Sequence, residues 1–436
     1  MHDTVKASKG NIENSERAAQ PADGRIGRRS VAAIPPQFRG LLALDDFERA
    51  ARRHLPRPLF GYVSGGVEEG RSMRTAAAAY DDYVFLPRFF ASVAGGTTST
   101  RLLDEDWAAP FGIAPMGLCA LTGYRADLAM ARAARAADIP MVISGSSLVP
   151  LEEIMAANPR AWFQAYIPTG EERVRALLDR VRAAGVKTLV VTVDSPVGSN
   201  RENNMRSGFS SPLRPSLRLA WDGAVRPRWL IRTFLRTLVQ HGIPHFENLY
   251  AERGIPIIAR NVQREFGGRA HFAWEHFAEI RRLWPGRLVA KGILHPADAL
   301  RAVATGADAL VISNHGGRQL DGTVAPLHVL PHIRAAAPDV PLIIDSGIRR
   351  GTQVIKALAL GADFVFVGRP FNYAAALGEE PGVSYAISIL QCEIARTLAQ
   401  IGLRRVTELD PTRLVPRGPI APGLITLPED SDAHHQ

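Results

Sequence analysis

Between residues 110 and 370 the chain carries eight short apolar runs, and their number limits the fold more than any other feature. The runs are FGIAP (111–115), PMVIS (140–144), WFQAY (162–166), TLVVTVD (188–194), RLVAKG (287–292), ALVISN (309–314), PLIIDSG (341–347) and FVFVGRP (364–370). The stretches between them place apolar residues at helical spacing, as in ADLAMARAARAAD (126–138), EERVRALLDRVRAAG (171–185) and TQVIKALALGA (352–362). Near-continuous apolar strands are buried on both faces, which happens where helices cover a parallel sheet. Eight such units close a (β/α)8 TIM barrel, and a doubly wound open sheet is the competitor. The polar residues favour the barrel. The runs end in Pro115, Ser144, Gln164 with Tyr166, Thr192 with Asp194, Lys291, His315, Asp345 and Arg369. Barrel enzymes gather their chemistry at the C-terminal ends of several strands at once.

The flanking segments complete the expected organisation. Residues 1–40 are polar and aperiodic and read as a disordered extension. A barrel domain spans 41–410, with an insertion over 208–284, and 411–436 form a tail. LDDFERAARRHLP (44–56) and the stretch after it read as a helical cap over one barrel end, and VSYAISILQCEIARTLAQIG (383–402) as one long helix closed by Gly402.

Composition narrows the function classes. With 46% apolar and 22% charged residues the chain is an ordinary globular protein rather than a disordered one. Its two cysteines, Cys119 and Cys392, have neither disulfide-framework nor zinc-site spacing, so no metal is expected and a reducing, intracellular setting fits. No apolar run is long enough to span a bilayer. A net charge of +9 points to anionic partners without choosing among them.

SGIRRG (346–351) and VGRP (367–370) follow the seventh and eighth runs. Glycine-loosened backbone at a helix start, with Arg349 and Arg369 beside it, suits a phosphate group. No GxGxxG follows a strand, so a nicotinamide dinucleotide is not indicated.

SNHGGRQLDG (313–322), TVDSP, FQAY, VAKG and DSGIRRG resemble motifs of the FMN-dependent L-2-hydroxy acid dehydrogenases and oxidases, over about Leu44 to Gly402. The resemblance implies FMN as cofactor, an L-2-hydroxy acid of the mandelate or lactate type as small-molecule substrate, and a homotetramer. His315 falls at the family's catalytic base, and imidazole suits proton removal near neutral pH. Asp194 corresponds to the carboxylate that orients that base, although alone it could equally cap a helix. Arg201 and Arg318 match the two guanidiniums that clamp the substrate carboxylate. Tyr62 matches a hydroxyl on that carboxylate, and Tyr166 one on the reacting oxygen. Lys291 matches the lysine beside the flavin N1 and O2 edge. Pro115, Ser144, Gln164 and Thr192 fall at flavin-ring positions, and Asp345 at the ribityl chain. Gly347, Arg349, Gly368 and Arg369 fall at the phosphate. One departure is Ser146, where glycolate oxidase-like members carry a bulky aromatic; a wider substrate pocket is expected.

About ninety residues separate the fourth and fifth runs. Within them, 214–240 hold six arginines against one aspartate. Arg228, Arg232 and Arg236 recur every four residues, with Leu230, Ile231, Phe234, Leu235 and Leu238 expected on the other side and Trp221 and Trp229 nearby. Such a helix suits an anionic membrane surface; an ordinary helix with a solvated arginine face is the plainer alternative. LAWDGAVRPRW and HFAWEHFAEIRRLWP resemble the insertion of the membrane-associated mandelate dehydrogenases, and MGLCA (116–120) resembles the respiratory lactate dehydrogenases. The expectation is therefore a dehydrogenase passing electrons to a quinone or other acceptor, peripheral on the inner face of the cytoplasmic membrane. An oxygen-using oxidase is the alternative, and a Schiff-base aldolase at Lys291 a more distant one. Nucleic acid is not expected, since the arginines alternate with apolar rather than stacking residues.

Overall fold

The computed structural model describes residues 35–258 and 270–419. All eight apolar runs are strands: β1 (Phe111–Ile113), β2 (Val142–Ser144), β3 (Trp162–Ala165), β4 (Thr188–Thr192), β5 (Arg287–Ile293), β6 (Ala309–Ile312), β7 (Leu342–Ile344) and β8 (Phe364–Val367). They pair in parallel in the order β1-β8-β7-β6-β5-β4-β3-β2. A parallel bridge from Ile113 to Met141 joins the two ends, so the sheet closes into a barrel and the open-sheet arrangement is excluded.

Side chains alternate across the wall with the period of a strand. Val190, Phe364 and Phe366 fill the lumen with Val142, Trp162, Val289, Val311 and Ile343. Leu189, Val191, Val365 and Val367 face outward into the larger core under the helices. A hairpin of Thr100–Leu102 and Glu105–Trp107 plugs the N-terminal end of the barrel, adding Leu102 and Trp107 to the lumen cluster. The Arg160 guanidinium, just before β3, lies 3.7 Å over the Trp107 ring and seals that end. Burying an aromatic of this size contributes roughly 2–3 kcal/mol. Chemistry is thereby left to the opposite rim.

The helical cap covers that rim. In it, α1 (Leu44–His54) ends where Leu55 turns extended before Pro56, and α2 (Arg57–Ser64) and α3 (Arg71–Ala78) follow. Leu44, Phe47 and Ala51 are fully buried in the outer core, and the Val67 N–H donates to Gly317 O (2.9 Å), tying the cap to the loop after β6. The last long helix, Arg369–Gln400, starts earlier than the sequence indicates and breaks at Gly378 and Glu379. Phe38 fills the break, since a Cβ on Gly378 would lie 2.1 Å from the end of its ring.

Two expected boundaries need correction. The extension is expected to end at residue 40, yet Pro36–Phe38 form a helical turn whose Phe38 is buried. The tail is expected from 411, yet Leu414–Pro416 pair antiparallel with Tyr83–Phe85, burying Leu414 and Val415. Each end is held by an apolar anchor too short to show a period. The rest of both segments, 1–34 and 420–436, lies outside the described residues, as do 259–269 of the insertion.

The insertion helix also differs from its expected form. Pro227–His241 is continuous but has a π-helical middle, Leu230–Leu235. With a wider turn, residues four apart line up in rows. Trp229, Thr233 and Thr237 face the body, and Trp229 Nε1 donates to Leu121 O (2.8 Å). Ile231, Leu235 and Val239 face away and are exposed. The expected single apolar side is therefore divided, with Leu230 and Phe234 packed half-buried on the core. Arg236 is a clamp, donating to Glu379 (3.1 Å) and lying 3.7 Å over the Tyr124 ring. Among the described residues no helix is long and apolar enough to cross a membrane.

Candidate active site

The C-terminal rim surrounds a cavity of about 490 Å³. Every site residue expected from the sequence lines it except Asp194, which stands behind His315: Pro115, Ser144, Gln164, Tyr166, Thr192, Lys291, Asp345, Gly347, Gly368 and Arg369 from strand ends, Arg349 from the loop after β7, Arg201 and Arg318 from loops, and Tyr62 from α2. Strand-end residues up to about 250 positions apart thus converge because each barrel strand ends at one rim, and α2 brings Tyr62 to the same rim.

The fold brings His315 and Asp194 together. His315 Nδ1 meets Asp194 Oδ1 at 2.9 Å, leaving Nε2 toward the cavity, 3.4 Å from the Tyr166 hydroxyl. His315 itself has left-handed backbone (φ 57°), as do Gly316 and Gly317 after it (φ 66° and 69°). For histidine that conformation is uncommon and is held by the surroundings. The His315 N–H donates to Ser313 Oγ (3.0 Å), and the Gly316 N–H to Ser346 Oγ (3.1 Å). Gly317 has no room for a side chain: a Cβ would lie 2.4 Å from the Met73 nitrogen.

Burial raises the Asp194 pKa, but the His315 charge and hydrogen bond, Lys291 and the Ser195 hydroxyl outweigh it and hold the carboxyl below its usual value. Lys291 Nζ is buried between Asp345 Oδ2 and Ser313 Oγ, both at 2.7 Å. Burial alone would lower its pKa, but the charges of Asp345 and Asp194 raise it. A Schiff-base lysine needs a neutral amine free to attack a carbonyl, whereas this Nζ is held by both partners, which disfavours the aldolase alternative.

The arginines are more committed than the sequence implies. Arg318 Nη1 donates to the carbonyls of Tyr62 and Gly65, each at 2.8 Å. Arg369 Nε donates to Val63 O (2.9 Å), and its Nη2 to Gly65 O (3.1 Å) and Gly316 O (2.9 Å). Burial, and then the charge of Arg201, lower the Arg318 pKa to about 9; burial and Arg349 lower that of Arg369 to about 10. Both remain cationic at neutral pH, and an anion in the cavity relieves their repulsion. Arg349 bonds the carbonyl of its own loop (2.9 Å) and meets Asp45 only at 3.6 Å, so it is the more available to a phosphate.

The donor set fits FMN. The Gln164 amide nitrogen is buried without a hydrogen-bond partner among the described residues, while its oxygen accepts from Ser144 (3.2 Å). A flavin ring edge would supply the missing acceptor, Lys291 would offer it a cation, and Gly347, Gly368 and Arg349, which line the same cavity, are the residues that would meet a phosphate. Ser146 lines the cavity as a small residue, and Met116, Val197, Met205 and Phe209 add apolar side chains to the lining.

Three further residues shape the site without having been singled out. Gln319 and Ser195 bridge Arg201 to Asp194, and Asp321 accepts the Ser72 N–H (2.7 Å), tying the loop to α3. All lie inside the motifs quoted above, so their spacing offered the signal. Their partners, far away in sequence, did not.

Comparison with known proteins agrees with this geometry. A family model described as FMN-dependent dehydrogenase matches residues 51–416. (S)-Mandelate dehydrogenase of Pseudomonas putida is 34% identical over 381 residues, covering 87% of this chain and 95% of that protein. L-lactate dehydrogenase of Pseudomonas entomophila is 36% identical over 378 residues, covering 86% and 98%. Among solved structures, the crystal structure of monotopic membrane protein (S)-mandelate dehydrogenase superposes with a TM-score of 0.78 at 33% identity, covering 86% of this chain and 99% of that one. A mandelate oxidase crystallised with 3,3-difluoro-2-hydroxy-3-phenylpropionic acid gives 0.70 at 33% identity, covering 86% and 98%. The chain belongs to the FMN-dependent dehydrogenase family.

Proposed function

We propose that the protein oxidises an L-2-hydroxy acid of the mandelate or lactate type to the 2-oxo acid, with His315 as base. The carrying observation is that the His315–Asp194 pair opens onto the same cavity as two guanidiniums, Arg201 and Arg318. A planar carboxylate suits such a pair of arginines. Seated there, the substrate presents its carbinol to His315 Nε2 and the Tyr166 hydroxyl, 3.4 Å apart. Oxidising the carbinol removes two electrons and two protons; FMN, when bound, would take up both electrons together with one of the protons, leaving the other for a base. His315 Nε2 accepts a proton, and Asp194 stabilises the imidazolium that results. Tyr62 borders the carboxylate side and Lys291 holds positive charge at the flavin edge. The small Ser146 and the apolar wall favour a bulkier substrate side chain than a hydrogen atom.

The test is anaerobic reduction of the bound flavin by L-lactate, glycolate, L-mandelate and longer 2-hydroxy acids. L-mandelate or a similarly bulky acid should reduce fastest, and His315→Asn should keep its flavin yet lose reduction by about 10⁴-fold. Full reduction in that variant overturns the base assignment.

The insertion supports a membrane-associated enzyme passing electrons to a quinone. Ile231, Leu235 and Val239 form an exposed row, Arg228 and Arg232 flank it, and Leu217 and Trp221 are exposed on the preceding helix. Basic residues beside an exposed apolar row suit an anionic bilayer surface, and the cytoplasmic leaflet is the anionic one. The oxidase alternative keeps its place because mandelate oxidases share the fold. Dye or quinone-analogue reduction should outpace hydrogen peroxide formation at matched substrate; the reverse order favours the oxidase. A homotetramer is the expected assembly, to be read by light scattering.

A further inference from the structure

A chain of hydrogen bonds runs from the substrate clamp to the base. Arg201 Nη2 donates to Gln319 Oε1 (2.9 Å), and Gln319 Nε2 donates to Ser195 Oγ (2.8 Å) and to the Asp194 carbonyl (3.3 Å). Ser195 Oγ donates to Asp194 Oδ1 (3.2 Å), the same oxygen that His315 Nδ1 meets at 2.9 Å. The polarity of this chain is forced. A guanidinium only donates, so Gln319 turns its oxygen to Arg201 and its nitrogen to Ser195; the one Ser195 proton is then left for the carboxylate.

We infer that Gln319 and Ser195 are positioning residues that couple the Arg201 clamp to the Asp194–His315 pair, so that seating a substrate carboxylate also fixes the base. This rests on the roles proposed above for Arg201 and His315. Two features make the coupling matter. Asp194 Oδ2 is buried without a hydrogen-bond partner among the described residues, so both contacts that set the carboxylate's rotation fall on Oδ1. Arg201 is itself steered toward the loop of the base, its Nε donating to Ser199 Oγ (2.9 Å) and to Arg318 O (3.2 Å). With Ser195 removed, His315 alone orients Asp194. With Gln319 removed, the clamp and the pair are independent.

The two arms separate by experiment in the flavin-loaded enzyme. The affinity for oxalate, an unreactive carboxylate, is read from the change in flavin absorbance, and the limiting flavin-reduction rate from anaerobic stopped flow. Ser195→Ala should leave oxalate affinity within about twofold and lower the rate about tenfold, as expected for one lost hydrogen bond to a carboxylate. Ser195→Thr, which keeps the hydroxyl, should restore the rate to within about threefold. Gln319→Met should weaken oxalate binding about fivefold as well as slowing reduction, and adding Ser195→Ala to it should cost clearly less than the roughly tenfold it costs alone, because the two act largely through one path.

A wild-type rate in Ser195→Ala, or losses that multiply in the double variant, overturns the coupling. His315→Asn, run alongside, keeps the readings apart. If it reduces flavin normally the base assignment has failed; if it is inert while Ser195→Ala is unimpaired, only the coupling has failed.

Discussion

Gly292 leaves the space that Asp194 occupies: a Cβ at Gly292 would lie 2.5 Å from the Asp194 Cβ and 2.8 Å from its Oδ2. The glycine follows Lys291 on β5, and the aspartate lies just past the end of the neighbouring β4. One residue therefore lets two adjacent strand ends approach closely enough for Asp194 to turn toward His315.

Gly292→Ala should fail twice over. Its φ of 111° is a conformation side chains rarely adopt, and the added methyl must displace Asp194. Backbone strain and overpacking together predict a loss of about 2–4 kcal/mol in stability. Moving Asp194 away from His315 should also slow flavin reduction at least about tenfold. Denaturant unfolding and stopped-flow reduction check the two effects separately. Wild-type behaviour in both would show that Asp194 has room to spare.

Much of this site is legible in the sequence, for a specific reason. Parallel strands buried on both faces read as unbroken apolar runs, and barrel chemistry sits directly after them, so Lys291, Asp345 and His315 could be located by where the apolar residues stop. What depends on contact between distant segments could not be read this way. Arg369 appears in VGRP as a free phosphate ligand, but three of its hydrogen bonds go to carbonyls of α2, its C-terminal flank and the loop after β6. Gln319 lies in a quoted motif, yet only the fold brings it to Ser195, 124 positions away. The division of the insertion helix into rows arises from a π-helical turn, which hydrophobic periodicity at 3.6 residues does not anticipate.

Asp127 provides a pH-dependent test of packing behind the loop that follows β2. It is 1% exposed, and its Oδ2 has no hydrogen-bond partner among the described residues. Burial raises its pKa from 3.8 to about 6, against the lowering effects of the Ser147 hydroxyl, its own backbone N–H and Arg125. The folded state then holds the proton more tightly than the unfolded chain. The resulting stabilisation is complete below pH 3.8 and is lost as pH rises through 6. At one pKa unit per 1.36 kcal/mol, the loss by neutral pH is about 3 kcal/mol. Asp127→Asn keeps the shape and removes the charge. Its advantage over wild type in urea unfolding should be near zero around pH 4 and should grow through pH 6 to a plateau. An advantage that does not change between pH 4.5 and 7.5 would contradict a raised pKa at this carboxyl.

The exposed row on the insertion helix allows the proposed membrane seating to be tested separately from chemistry. Ile231, Leu235 and Val239 point away from the body, while Trp229, Thr233 and Thr237 hold the helix to it. Replacing the outer three by Ser, Glu and Lys changes only the face turned from the barrel. Thermal stability and flavin reduction by substrate should remain within about 0.5 kcal/mol and twofold of wild type, as for other surface substitutions. Co-sedimentation with vesicles containing anionic lipid should fall by at least about tenfold, since three apolar side chains no longer enter the bilayer boundary. Raising the salt should weaken the wild-type interaction, through Arg228 and Arg232, without abolishing its apolar part. Undiminished vesicle binding by the triple variant would refute this row as the membrane contact, and the arginine face would then remain as an ordinary solvated surface.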